Sequence, residues 1–184
     1  MSLAFKIGNV VGYQLVWLAS VYGAGQGMAW LGPAAVALFA AAHFAFSPTR
    51  HADLRIVAIA VALGFAVDSL FAASGLLQYA SPWPSAFLAP VWILSMWVAF
   101  ALTLHHSMSF LRDNWKAASI FGLLGGPLAY WAAERVFGAV SFGAAPWIVL
   151  SALGLAWAIA LPLLYRVDSR LVLGRAQRNA RAAP

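Results

Sequence analysis

Apolar residues fill the chain in long stretches, and polar residues gather in short clusters between them. Six stretches are long enough, as helices rising 1.5 Å per residue, to cross about 30 Å of hydrocarbon. They lie near residues 5–24, 28–46, 55–79, 86–107, 117–138 and 145–166. The breaks carry turn chemistry: GAGQG at 23–27, SPTRHAD at 47–53, SPWPS at 81–85, RDNWK at 112–116 and FGAAP at 142–146. The first break is short, so the first two helices are expected as an antiparallel hairpin. The first apolar run follows Lys6 and contains Asn9, Gln14 and Trp17, with no small-residue cleavage site in a polar context. It is therefore expected to be retained as a helix and not removed as a signal. The pattern predicts an all-α, polytopic membrane bundle over residues 1–166, followed by a basic tail at 167–184.

Charge adds an orientation. Lys6, Arg50, Arg55, Arg112, Lys116 and the arginines at 166, 170, 175, 178 and 181 all fall on one side of a six-helix chain. Those are ten of the eleven cations, and Arg135 is the exception. The positive-inside rule then places both termini in the cytoplasm. The net charge of +6 is accounted for by this asymmetry, and the arginine-rich tail reads as an anchor attracted to an anionic leaflet, not as a nucleic-acid arm. Trp83, Trp92 and Trp147 fall near the opposite boundary, where interfacial tryptophans belong.

Composition narrows the chemistry. The chain is 64% hydrophobic and only 9% charged, against about 25% charged in soluble domains. It has no cysteine, which excludes disulfides, thiolate catalysis and Cys-ligated metals. No GxSxG, HExxH, GxxxxGK[ST] or GxGxxG motif is present. Four histidines, His43, His51, His105 and His106, lie toward the cytoplasmic face and read as interfacial. Their spacing cannot hold two irons, a bis-histidine haem on His43 and His105 is a remote alternative, and no metal or other cofactor is expected. Asp53, Asp113 and Asp168 lie beside arginines and read as solvated.

Two acids have no such explanation. Asp68 lies 13 residues beyond Arg55, roughly 20 Å into the membrane. There a carboxyl must face the bundle or a wet cavity, as a functional group or as a structural hydrogen bond between helices. Glu134 shares a helix face with Tyr130 four residues earlier, and Tyr130 reaches roughly the depth of Asp68. Glu134 and Arg135, being consecutive, point about 100° apart and are not expected to pair. Asp68, Tyr130 and Glu134 are thus the catalytic candidates, converging in the outer half. Gly125-Gly126-Pro127 just before them reads either as a broken helix lining a site or as a packing kink. Asn9, Gln14 and Trp17 in the first helix and Trp92 and Trp97 in the fourth are candidate ligand contacts, or else packing and cross-links between helices.

Three motifs in order, GNVVGYQLVW, APVWILSMWVAF and GGPLAYWAA, resemble a bacterial family, the "domain of unknown function 2878" proteins, across nearly the whole chain. The resemblance implies a helical inner-membrane protein with a family pattern at Asn9, Gln14, Trp17, Pro90, Trp92, Trp97, Pro127 and Tyr130, and it implies no reaction. Three functions stay open. One is an intramembrane pocket that binds or modifies a lipid or other amphiphile. The second is a small proton-coupled transporter or channel, with Pro33 and Pro127 in corresponding helices. The third is a non-catalytic assembly subunit. Membrane lipids, and a membrane-protein partner or second copy, are the expected partners.

Overall fold

The computed structural model describes residues 2–182, with side chains to residue 172. Six helices make up nearly all of it: α1 (Leu3–Gly25), α2 (Leu31–Phe46), α3 (Arg50–Ala73), α4 (Val91–Leu104), α5 (Trp115–Arg135) and α6 (Pro146–Ala182). Ser2 caps α1 by accepting the Phe5 N–H at 3.3 Å, and Asn114 caps α5 by accepting that of Ala117 at 3.0 Å.

α4 is the central helix. It packs against α1, α2 and α3, and ten of its fourteen residues are buried. α6 joins α5 to α3. Glycines set the closest approaches. A Cβ on Gly122 would meet the Trp157 carbonyl, and one on Gly126 would meet the Trp157 indole, so α5 lies directly on α6. Gly64 of α3 likewise makes room for the Trp97 indole of α4.

Four expected elements differ. The third helix ends at Ala73 and not at 79, because Gly75 turns the chain at φ +73 and Leu77–Tyr79 becomes a strand, β1. β1 pairs antiparallel with β2 (Val140–Phe142), in the register Leu77↔Phe142, Gln78↔Ser141, Tyr79↔Val140. This small ribbon folds over the end of the bundle opposite the chain's cationic loops. The fourth helix is shorter than 86–107, starting only after Pro90. α5 runs unbroken through Gly125-Gly126-Pro127, with Gly126 making room for the Trp157 indole of α6, and no break opens in the helix. α6 continues past residue 166 to Ala182, carrying the expected tail as the same helix. The side chains of Arg175, Arg178 and Arg181 lie outside the described residues.

Two helices, Arg50–Ala73 and the Pro146–Val172 portion of α6, are long and apolar enough to cross a membrane. α2 and α4 are apolar but shorter. The exterior is strongly apolar: Leu38, Leu70, Leu128, Leu155 and Ile159 each expose more than 60% of their surface.

Candidate functional site

Asp68 sits on the last turns of α3 and is completely enclosed. Three elements supply its partners. The Tyr79 hydroxyl, on β1, donates to Oδ1 at 2.7 Å, and the Tyr130 hydroxyl, on α5, donates to the same oxygen. The Trp97 indole N–H, on α4, donates to Oδ2 at 2.6 Å. Hydrogen bonds to a carboxylate are each worth about 1.5–3 kcal/mol, so this arrangement ties α3, α4, α5 and the ribbon together at one point. Trp97 is fixed further by stacking on Trp157, with centroids 4.7 Å apart and planes 6° from parallel.

Tyr130 and Trp97 present their other sides to a cavity of about 390 Å³ among α1, α4, α5 and α6. Gln14, Trp17, Trp92 and Trp157 also line it, and the walls are mostly apolar. Gln14, Phe121 and Leu128 are exposed at its rim, so the cavity opens sideways between α1 and α5. Asp68 is behind the wall and does not line it.

Of the residues singled out from sequence, Gln14, Trp17, Trp92, Trp97 and Tyr130 come together around this cavity. Asp68 adjoins it through two of them. Glu134 and Asn9 do not line it. Glu134 instead has Arg135 Nε 3.4 Å from its Oε2, an ion pair that the 100° separation on the helix argued against. Arg135 is at the end of α5, where its long side chain can fold back along the helix.

Asn9 belongs to a second polar cluster, at the opposite end of the bundle. Its Nδ2 donates to the Leu102 carbonyl at 3.0 Å and lies 3.3 Å from His43 Nδ1, and its Oδ1 accepts from Ser107 at 2.6 Å. Beyond His43 is Asp53, which is not solvated but fully buried. His43 Nε2 is 3.1 Å from Asp53 Oδ2, while His106 Nε2 and His105 Nδ1 are 2.9 and 3.2 Å from Oδ1. Ser47 donates to Oδ2 at 2.5 Å, and the Thr49 hydroxyl reaches both oxygens. His105 Nε2 is 3.0 Å from Asp168 Oδ2, and Arg55 Nε donates to Asp168 Oδ1 at 2.7 Å. Asp168 is also buried, so two of the three acids taken as solvated are internal and only Asp113 is exposed. Burial opposes an imidazolium at His105, but the hydrogen bonds to Asp168 and Asp53 outweigh it and its pKa is raised.

This geometry leaves no place for a haem between His43 and His105, because the Asp53 carboxylate occupies the space they share. Sequence reasoning could put these groups at one end of the bundle by counting along helices. It could not see that they converge. Tyr79 was missed because it was assigned to the third helix, and Trp157 because no polar residue drew attention to it.

A family model described as "Protein of unknown function (DUF2878)" matches residues 6–163. No curated protein and no solved structure matches the chain.

Proposed function

This chain belongs to the DUF2878 family, proteins of unknown function, and from that premise we propose a six-span membrane protein whose outer-half cavity binds a lipid or another amphiphile. All six helices cross the bilayer, with both termini in the cytoplasm of a bacterial cell and the ribbon at the outer face of its inner membrane. The apolar exterior supports the membrane half of this reading, since a surface of exposed Leu, Ile, Phe and Trp on the five helices around α4 suits lipid and not water. α4 needs no lipid-facing length of its own because its neighbours enclose it.

The cavity is the observation that carries the binding half. Its volume of about 390 Å³ falls within the range of about 300–1,000 Å³ typical of small-molecule sites. Its aromatic walls accept an apolar chain, and its sideways opening admits one from the bilayer. Gln14 at the rim offers an amide to a polar head, and the Tyr130 ring, its hydroxyl held by Asp68 behind the wall, forms part of the inner surface. Asp68 acts through Tyr130 and Trp97 as a positioning residue, holding both in place from behind. Should the bound molecule be chemically altered, Tyr130 is the group that touches it and Asp68 the acid that adjusts Tyr130. Glu134 then has no part in that step.

Mass spectrometry of small molecules retained after gentle extraction tests the reading. The wild type should carry a discrete amphiphile enriched over bulk lipid. Ala129→Phe, which fills the cavity from α5, should lose it while the fold persists, and Asp68→Asn should weaken its retention. Bulk lipid alone in the wild type, or an amphiphile indifferent to Ala129→Phe, would sink the binding proposal.

A further inference from the structure

The cluster at the cytoplasmic end gathers the side chains of a metal centre. His43, Asp53 and His106 offer ligand atoms that all lie within 4.8 Å of one another, and all three residues are buried. His105 adds a third imidazole, its Nδ1 3.2 Å from the same carboxylate. Three of the chain's four histidines therefore meet on one aspartate of α3, His43 from α2 and His105 and His106 from the segment after α4. No local helix periodicity produces that convergence.

The carboxylate itself is over-subscribed. It offers about four lone-pair sites, yet Ser47, Thr49, His43, His105 and His106 all approach it within hydrogen-bonding distance. The nitrogen-to-oxygen separations of 2.9 to 3.2 Å are near the roughly 3.3 Å edge of a tetrahedron with bonds of about 2.0–2.1 Å. The ligand atoms of His43, Asp53 and His106, within 4.8 Å of one another, would draw together around an ion placed among them.

Behind the ligands stands the support that metal centres use. His105 faces Asp53 with Nδ1 and Asp168 with Nε2, and Arg55 holds Asp168. A carboxylate accepting the second ring N–H fixes the tautomer of a metal-bound histidine. His43 has the Asn9 amide behind its Nδ1. Binding through Nε2 moves the His43 proton to Nδ1, so the Asn9 amide must turn its oxygen to the ring. Access is short, because Thr49 is exposed and its hydroxyl already reaches Asp53.

We propose that His43, Asp53, His105 and His106 bind one divalent first-row transition ion, with Zn²⁺ as the best fit. An all-imidazole and carboxylate set without sulfur suits zinc among such ions, and four protein ligands make a closed, structural centre. The ion would fasten the cytoplasmic ends of α2, α3 and α4, at the other end of the bundle from the amphiphile cavity.

Full-length protein in detergent, equilibrated with Zn²⁺ and dialysed, should retain one equivalent per chain. Co²⁺ should give the strong visible bands of a tetrahedral site. His106→Gln and His43→Gln should each weaken binding tenfold or more, and Asp168→Asn about 10–100-fold through His105. His51→Gln, at the exposed fourth histidine, should leave it unchanged. A folded wild type without stoichiometric Zn²⁺, or with only weak octahedral Co²⁺, overturns the proposal. So does an equal loss on His51→Gln, which would mark scattered histidine binding. Because the wild-type spectrum decides alone, a variant that fails to fold does not shield the proposal.

Discussion

A buried aspartate is costly unless its oxygens are fully engaged, and Asp68 engages three donors with two oxygens. Replacing it with asparagine keeps one acceptor. With the oxygen toward Trp97, the N–H₂ donates to a tyrosine oxygen and both hydroxyls lose the acceptor they share. The other way round, it faces the Trp97 N–H donor to donor. We expect Asp68→Asn to lower thermal stability in detergent by about 1–3 kcal/mol. Tyr130→Phe should cost less, because Oδ1 keeps Tyr79, and a smaller Tm shift for Tyr130→Phe than for Asp68→Asn checks this order. Equal Tm values for all three proteins would mean that the network contributes nothing. At this scale Asp68 and Tyr130 were legible because each is a polar group set inside a long apolar run. Asp53 and Asp168 were not, since an acid beside arginines in a loop reads the same whether it is solvated or turned inward. Only the packing of α1, α2 and α6 decides which.

Between residue and fold, the α5–α6 contact is where glycine position matters most. Gly122 faces the Trp157 backbone, while a Cβ on Gly125 would meet only the Phe121 ring at 3.7 Å. Gly122→Ala must therefore push two helices apart, at about 1–3 kcal/mol for overpacking. Gly125→Ala has ordinary space and gains helix propensity of up to about 1 kcal/mol. Opposite Tm shifts for two alanine substitutions three residues apart would verify the docking of α5 on α6. Parallel shifts would argue against it. The existence and order of the six helices were readable from apolar runs and turn residues, but the ends of α3 and α4 lay up to about six positions off and α6 ran well past its expected end. The ribbon was not, because Leu77-Gln78-Tyr79 continues the apolar run of α3 and its partner strand is more than sixty residues away. The unbroken course of α5 was also hidden, since proline and paired glycines suit both a break and a tight helix contact.

For the whole molecule, two independent asymmetries point the same way. Cations crowd one end of the bundle, where the His–Asp cluster also lies, and the ribbon covers the other. If the bilayer lies between them, the ribbon faces outward and the loop between α4 and α5 faces the cytoplasm. The absence of cysteine makes this directly testable, because any thiol introduced is the only one. Ser141, on β2, and Asp113, after α4, are both exposed. A membrane-impermeant maleimide applied to intact spheroplasts should label Ser141→Cys at once, and Asp113→Cys only after the membrane is opened. The reverse pattern would invert the orientation and leave the helix count intact. Labelling of both from outside would place the two ends on one side of the membrane, and the six-span arrangement would fall with it. Among the described residues two helices have the length and apolarity to cross a membrane, so in the proposed six-span arrangement the other four would depend on the assembled bundle to stay in place. A change that loosens the bundle, such as Gly122→Ala, should therefore also blur the sidedness of the Ser141 label.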